Sequence, residues 1–320
     1  MRWVPRRGAP VGGQDGRKRD QEPRPRATPP GELPLVAAIT MARDEGPMIR
    51  HWVDHYSRQL GAENVYVIDD HSSDGSTEDL ACRVLHFPYL NKYGFEQSRM
   101  GLANSLSAGL LYAYDAVLFA DADEFVVADP KSYSGLRELV AARPDRDALG
   151  VLAYNVVQDL ANEAPLDFGR PLLEQRAWAK FVPLMCKPSL KWEPATWARA
   201  SHGIRTPYEI DPDLVMFHFK FADRDQLLER AGHRHHLNRT EDRARNTSWA
   251  KSGDEMVQLL DEVSAALDPA QAEPFRPKQR LLNRTVQVRG EAWKAVGDGQ
   301  IEAMHKRPFC KIPQRFAGLV

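Results

Sequence analysis

The chain has 320 residues, enough to bury a sizeable core, and a formal net charge of -1 at pH 7, which argues against broad nucleic-acid binding. Its 42% hydrophobic and 27% charged residues are ordinary for a globular protein, and no apolar run reaches the length of a membrane span. The sequence does not contain the closely spaced cysteine pairs that are typical of zinc sites, because its three cysteines lie far apart at Cys82, Cys186 and Cys310. With no signal-peptide pattern, they indicate reduced thiols in a cytoplasmic protein.

Residues 1–34 are rich in Arg, Gly and Pro and contain few large apolar side chains. Such a segment cannot offset its ordering entropy by burial, so we expect it to be disordered. Its positive charge could contact anionic lipid headgroups, which would give a peripheral association with the inner face of a membrane. A dispensable tail is the interpretation we favour.

The first strand and helix enclose an acidic loop. Residues 35–39 form an apolar strand candidate, and the loop that follows contains Asp44 and Glu45. A helical pattern then covers residues 48–60, and Pro47 suits its first turn. This order predicts a strand, a loop with two carboxylates, and a helix.

A second acidic loop follows the next strand candidate, residues 64–68. The spacing of Asp70, Ser72 and Asp74 is similar to the start of a calcium loop, but Ala81 stands where that loop needs Glu and a strand precedes it. We therefore exclude calcium. Loops at the carboxyl ends of strands are where open α/β sheets bind ligands, and a carboxylate there can accept bonds from a base or ribose. The alternative is a solvated loop with a helix cap.

The most informative segment is residues 116–127, an apolar run interrupted by Asp121-Ala122-Asp123. Two carboxylates at the end of a buried strand repel each other and lose hydration unless a cation or an array of donors neutralises them. Carboxylate oxygens suit Mg²⁺ or Mn²⁺, which can in turn bind a diphosphate. A surface turn is the alternative for this motif alone. Together, three strand ends with acids predict a nucleotide site at the edge of a parallel sheet.

These motifs, with the Trp52-Val53 and His55-Tyr56 pairs, resemble family 2-type glycosyltransferases over residues 35–222. The Asp123-Glu124-Phe125 variant is similar to the branch related to glycosyltransferase family 92. The resemblance implies an α/β fold of GT-A type: a Rossmann-like mixed sheet flanked by helices. We expect residues 35–222 to form this domain and residues 223–320 to form a helical C-terminal extension packed on it.

The resemblance also implies the ligands and several residue roles. The donor would be a nucleotide sugar, a UDP- or GDP-sugar, bound with Mn²⁺ or Mg²⁺. His218 would join Asp121 and Asp123 as a metal ligand, although a lone His in an apolar strand is otherwise usually a core residue. His202 would shape the acceptor or phosphate side. The nucleotide-binding residues would be Thr40, Asp44, Glu45, Asp70, Asp74, Gln97, Arg99 and Asp121.

Residues 149–157 predict another strand in the half of the domain that handles the acceptor. An inverting transferase needs a general base for the attacking hydroxyl. Asp159 and Glu163 lie just past this strand and are our candidates; the rivals are Glu209, Asp211 and Asp213. A retaining enzyme would need no such base. Residues 233–236, His-Arg-His-His, indicate a solvated basic patch, because their spacing does not bring the rings together.

The predicted activity is metal-dependent, inverting transfer of a sugar from a nucleotide sugar to a glycan or another hydroxyl acceptor, in polysaccharide assembly by analogy. A nucleotidyltransferase is the nearest alternative, but it would normally have a Gly-rich phosphate loop with Arg or Lys after the first strand. The segment at residues 41–46 is not such a loop. A non-catalytic glycan- or partner-binding module with the same fold is the third possibility.

Overall fold

Four parallel strands form the first half of the main sheet. The computed structural model describes residues 32–144, 146–241 and 251–320; the tail expected at residues 1–34 lies almost entirely outside them. Strand β1 pairs in parallel with β2 and with β4, and β3 pairs in parallel with β2. The carboxyl ends of these strands therefore share one edge of the sheet. The elements of this half are β1 (Val36–Ala42), α1 (Pro47–Leu60), β2 (Val65–Asp70), β3 (Arg83–Phe87), α2 (Phe95–Leu110) and β4 (Ala116–Phe119).

The second half of the sheet is mixed. Strand β8 is antiparallel to both β4 and β6 and so joins the two halves. Strand β10 runs parallel to β6 and antiparallel to β5, and β7 is antiparallel to β6. The elements of this half are β5 (Glu124–Ala128), α3 (Leu136–Ala141), β6 (Ala148–Val157), β7 (Trp178–Phe181), β8 (Leu190–Lys191), β9 (Gly203–Ile204) and β10 (Glu209–Phe221).

The C-terminal part contains helices, as expected, and also strands. Strand β13 pairs with β7 and extends the main sheet, while β9, β11 and β12 form a separate small sheet. Residues 223–320 are therefore not a purely helical extension. Their elements are α4 (Arg224–Glu241), α5 (Gly253–Ala265), α6 (Gln279–Thr285), β11 (Val286–Arg289), β12 (Ala292–Ala295), α7 (Gln300–Lys306) and β13 (Phe309–Lys311). The predicted fold, a Rossmann-like mixed sheet flanked by helices, is confirmed.

Helix α1 fixes the position of the strand that follows the Asp121-x-Asp123 turn. Its apolar stripe includes Trp52 and Tyr56, both fully buried, and each such side chain contributes about 1.5–3 kcal/mol by burial. The Tyr56 hydroxyl accepts a hydrogen bond from Val126 N at 2.9 Å and donates one to Glu124 O at 3.3 Å. The packing of α1 thus sets the start of β5 and, with it, the turn.

The C-terminal segment is tied to the end of β5 by a buried carboxylate. Asp129 is 0% exposed and accepts hydrogen bonds from Arg315 Nε and Nη2 at 2.7 and 2.8 Å. Arg276 donates a further bond to it at 2.8 Å. Burial opposes the charge, but Arg315 and Arg276 hold the pKa of Asp129 far below its usual range. This network therefore holds the C-terminal segment against the end of β5.

Candidate active site

A cavity of about 890 Å³ lies at the carboxyl ends of β1, β2 and β4, beneath α4 and beside α7. Among the residues that the structure describes, nine Asp or Glu and five Lys or Arg line it. Side chains from separate strand ends meet here because parallel strands end at one edge. The excess of carboxylates suits a bound cation, and the basic groups suit an anion such as a diphosphate.

The first two acidic loops are bound to each other. Asp44, at φ 51°, accepts hydrogen bonds from the backbone N–H groups of Ser73 and Asp74 at 2.6 and 3.1 Å. Asp74 accepts one from Gly46 N at 3.1 Å, and the Ser72 hydroxyl accepts one from Asp44 N at 3.2 Å. These contacts shape one wall of the cavity, so Asp44 and Asp74 hold the loops together while lining it.

Asp70 and Glu45 lie deeper along the same wall. Asp70 is 1% exposed, accepts a hydrogen bond from Leu90 N at 2.7 Å, and lies 3.9 Å from Arg43 Nη1. Burial raises the pKa of Glu45, although Arg230 and Arg234 act in the opposite direction. Both predicted nucleoside-binding carboxylates therefore line the cavity; their role stays a prediction.

Asp121 is held by two cations. It pairs with Arg99, from the start of α2, and its other oxygen lies 3.2 Å from Lys187 Nζ. Lys187 is 1% exposed and also pairs with Glu124 Oε2 at 2.8 Å. Burial would raise the pKa of Asp121, but Arg99 and Lys187 lower it to about 2. Arg99 was predicted to bind the nucleotide, and its contact with Asp121, like the role of Lys187, was not anticipated from the sequence.

Asp123 faces His218 on the neighbouring strand β10. His218 Nε2 lies 3.5 Å from Asp123 Oδ1, and His218 Nδ1 lies 2.7 Å from Asn155 Oδ1. All three side chains are buried, Asn155 completely. If Nδ1 donates its proton to Asn155, the unprotonated Nε2 faces a carboxylate oxygen, and a cation between the two acceptors resolves their repulsion.

This pair fits a divalent metal ion. A metal-ligating His usually donates its second ring nitrogen to an oxygen acceptor, as Asn155 provides here. Burial opposes the charge of Asp123, but His218 when it carries a proton on Nε2, and the always charged Arg234 and Arg230, hold its pKa well below its usual range. When His218 is neutral the two arginines remain, so Asp123 would be an ionised ligand. Among the described residues no three His, Cys, Asp or Glu side chains converge as a complete metal cluster. Asp121 is instead directed to Arg99 and Lys187, so water or donor phosphates would complete the coordination, as is common for Mg²⁺.

Helix α4 places basic side chains over the acids. Arg230 donates to Glu45 O at 2.7 Å and pairs with Glu45 Oε2 at 3.3 Å. Arg234 Nη2 lies 3.4 Å from Asp123 Oδ2, and His233 Nε2 lies 3.7 Å from Asp44 Oδ2. The expectation of a solvated basic patch is therefore wrong for Arg234, whose side chain is 21% exposed and paired with Asp123, whereas the side chain of His233 is 38% exposed. The three- and four-residue spacing of 226, 230, 233 and 234 is the helical signal that could have indicated this face.

Residues 184, 185, 202 and 299–302 also line the cavity. His202 Nδ1 lies 3.0 Å from Leu184 O. Because a carbonyl can only accept, Nδ1 carries the proton and Nε2 is the basic nitrogen. Burial lowers the pKa of His202 to about 4, so the ring is neutral near pH 7.

Four predicted site residues lie elsewhere. Thr40 is fully buried within β1, and Gln97 is exposed on α2; neither lines the cavity. Asp159 accepts hydrogen bonds from Ala161 N and Asn162 Nδ2. Glu163 accepts them from Asp159 N and Ala177 N. The structure does not bring these two carboxylates to the cavity, because the chain after β6 turns towards α5, where Leu160 N donates to Ser264 Oγ.

The comparisons with known proteins concern structure alone. No protein-family model and no curated protein matches the sequence. Among solved structures, the chain is similar to a mannosyltransferase from Pyrobaculum calidifontis in complex with GDP-mannose and Mn²⁺, at 15% identity and a TM-score of 0.33, covering 75% of this chain and 77% of that one. It is also similar to glucosyl-3-phosphoglycerate synthase from Mycobacterium tuberculosis, at 13% identity and a TM-score of 0.30, covering 75% and 83%.

A third similar structure is a CMP-2-keto-3-deoxy-manno-octonic acid synthetase bound to CTP, at 11% identity and a TM-score of 0.27, covering 50% of this chain and 65% of that one. At such low identities and TM-scores, these similarities support no statement about the activity of this chain. Across the part of the chain that the structure describes, no helix is long and apolar enough to cross a membrane.

Proposed function

We propose that this protein is a metal-dependent glycosyltransferase that moves a sugar from a nucleoside-diphosphate sugar to a hydroxyl acceptor, with inversion at the sugar. The observation that carries the proposal is the Asp123–His218 pair, oriented by Asn155, at the edge of the sheet where β1, β2 and β4 end. Two facing acceptors beside a large cavity suit a cation that grips a diphosphate.

The donor would lie along the wall formed by the loops after β1 and β2. Asp44, Glu45, Asp70 and Asp74 line that wall and would contact the ribose and base. Asp123 and His218 would hold Mn²⁺ or Mg²⁺, whose chemistry is to stabilise negative charge on the departing diphosphate. Arg99 and Lys187 would hold the Asp121 carboxylate and so keep the turn rigid. Arg99, which lines the cavity, would also supply positive charge beside the phosphates.

His202 is our revised candidate for the general base. It lines the cavity together with Leu184 and Met185. Its Nδ1–H is fixed by Leu184 O, which leaves Nε2 to accept a proton from an attacking hydroxyl. Asp159 and Glu163, the candidates from sequence, are engaged in local hydrogen bonds outside the cavity.

Several finer statements belong to the same proposal. The chain would belong to the family 2-type enzymes, in the branch related to glycosyltransferase family 92, on the strength of its Asp121-to-Phe125 motif. It would act on a glycan acceptor in the cytoplasm during polysaccharide assembly. Contact of the basic residues at positions 1–34 with the inner face of a membrane is the alternative to a dispensable tail.

The test is thermal unfolding with a panel of nucleotides, each with and without Mn²⁺. Stabilisation by UDP or GDP that requires Mn²⁺ supports the transferase and names the donor class. Stronger stabilisation by nucleoside triphosphates would favour a nucleotidyltransferase, for which the mixed sheet with strand-end acids is also suitable. No shift with any nucleotide would contradict the proposal and favour a glycan- or partner-binding module.

A further inference from the structure

Asp123 is shared between two partners on opposite sides. Its Oδ1 lies 3.5 Å from His218 Nε2, and its Oδ2 lies 3.4 Å from Arg234 Nη2. Only 5% of the Asp123 side chain is exposed, so its charge depends on these neighbours. A metal ion bound between Asp123 and His218 would neutralise part of the Asp123 charge and so weaken its attraction for Arg234. The guanidinium of Arg234 would in turn repel the metal ion.

The two arginines of α4 are held differently. Arg230 donates to Glu45 O at 2.7 Å and pairs with the Glu45 carboxylate at 3.3 Å, which anchors α4 over the loop after β1. The 3.4 Å contact between Arg234 and Asp123 is longer than the 2.7–2.9 Å typical of charge-assisted hydrogen bonds. One turn beyond the anchor, Arg234 is therefore the arginine whose pairing is easier to exchange.

We propose that Arg234 couples cation binding to nucleotide binding by exchanging partners. Without ligand its guanidinium pairs with Asp123 and weakens the affinity of the Asp123–His218 pair for a divalent cation. When a nucleoside diphosphate binds, its diphosphate takes the guanidinium, and Asp123 becomes fully available to the cation. Each ligand then raises the affinity for the other, because thermodynamic coupling is reciprocal. The inference rests on the proposed function, since it assumes that a diphosphate occupies the cavity.

The geometry supports the exchange. Arg234 lines the same cavity as Asp123 and the loop carboxylates, and 21% of its side chain is exposed there. The planar guanidinium can bind a carboxylate or a phosphate through two parallel donors, so one group serves both partners. Glu45 Oε1, at 4.0 Å from Arg234 Nη2, keeps the side chain on this side of α4 in either state.

The experiment measures free Mn²⁺ by electron paramagnetic resonance, with and without UDP or GDP, for wild type, Arg234→Gln and Arg224→Gln. Arg224 is a matched control on the same helix, because it pairs with Asp261 at 3.0 Å and does not line the cavity. In Arg234→Gln we expect Mn²⁺ alone to bind about tenfold more tightly and the nucleotide-dependent gain in affinity to fall about tenfold. Arg224→Gln should match wild type in both.

If Arg234→Gln has the same Mn²⁺ affinity as wild type and the same nucleotide-dependent gain in that affinity, this inference is overturned while the proposed function stands. If wild type binds neither UDP nor GDP at any Mn²⁺ concentration, the proposed function fails and the inference fails with it. Should Arg234→Gln not fold, as judged by circular dichroism, Arg234→Lys serves instead. Lysine keeps the positive charge but lacks the parallel donors of the guanidinium, so the nucleotide-dependent gain in Mn²⁺ affinity should be smaller than in wild type. A gain equal to that of wild type in Arg234→Lys would equally refute the exchange.

Discussion

Lys187 makes a strong prediction about stability, because it is the buried cation between two carboxylates of the central motif. Its Nζ lies 2.8 Å from Glu124 Oε2 and 3.2 Å from Asp121 Oδ2, and 1% of its side chain is exposed. Burial alone would lower the pKa of Lys187, but the two carboxylates outweigh burial and raise it. Lys187→Met keeps most of the stem and removes the charge.

The expected loss of stability follows from the buried negative charge that remains when the Lys187 charge is removed. Glu124 is 1% exposed and would lose its cation, while Asp121 would keep Arg99. Leaving one partner of a buried ion pair uncompensated costs about 3–5 kcal/mol, which in a protein of this size lowers Tm by roughly 10 °C. Replacing Glu124 by Gln in the same protein removes the stranded charge, so the double variant should recover about 1–3 kcal/mol.

Denaturant unfolding of the two single variants, the double variant and wild type completes a double-mutant cycle. Lys251→Met is a suitable control, since Lys251 forms an exposed pair with Glu255 at 3.7 Å, and such pairs contribute about 1 kcal/mol or less. A loss below about 1 kcal/mol in Lys187→Met, or a double variant less stable than Lys187→Met, would refute the assignment of Lys187 as the compensating charge.

Three further predictions concern other parts of the molecule. Burial lowers the pKa of Lys191 to about 7, so above pH 7 the unfolded chain binds one more proton than the folded protein and wild-type stability rises with pH. Lys191→Met loses the hydrogen bond to Ala195 O at 2.7 Å at every pH, but relative to wild type its free energy of unfolding should fall by about 2 kcal/mol between pH 7 and pH 9. Parallel plots of stability against pH for the two proteins would contradict this. Arg315→Met should lower the free energy of unfolding by about 2–4 kcal/mol, because buried Asp129 would lose the hydrogen bonds and the positive charge of Arg315. Unchanged stability in calorimetry would contradict this role of Arg315. His202→Gln should lower kcat at least about 100-fold with nucleotide affinity unchanged, whereas Glu163→Gln should not; the reverse result would restore the base expected from sequence.

Local sequence patterns were sufficient for the sheet and for one side of the cavity. The apolar runs at residues 116–120 and 214–217 lie in or next to β4 and in β10, because burial on both faces of a strand requires such residues. The acidic loops at Asp44, Asp70 and Asp121 reach one edge because the strands before them are parallel.

The opposite side of the cavity depends on contacts between distant parts of the chain. Arg230 meets Glu45 across 185 positions, and Lys187 meets Asp121 across 66. No local pattern encodes such a contact, although an isolated Lys after the apolar residues 181–186 is unusual enough to mark Lys187. Asp159 and Glu163 satisfy the same local rule as Asp121, yet the chain after β6 turns away from the cavity.

The central claim is that Asp123 holds a metal ion that binds a nucleoside diphosphate. Calorimetric titration of UDP and GDP into wild type, Asp123→Asn and Asp159→Asn, each with Mn²⁺ and with chelator, tests it most directly. Wild type and Asp159→Asn should bind one of the two nucleotides only with Mn²⁺, and Asp123→Asn should lose about 100-fold or more in affinity, a loss of about 2.7 kcal/mol. Equal nucleotide affinity in Asp123→Asn and wild type, or binding that ignores Mn²⁺, would contradict the account.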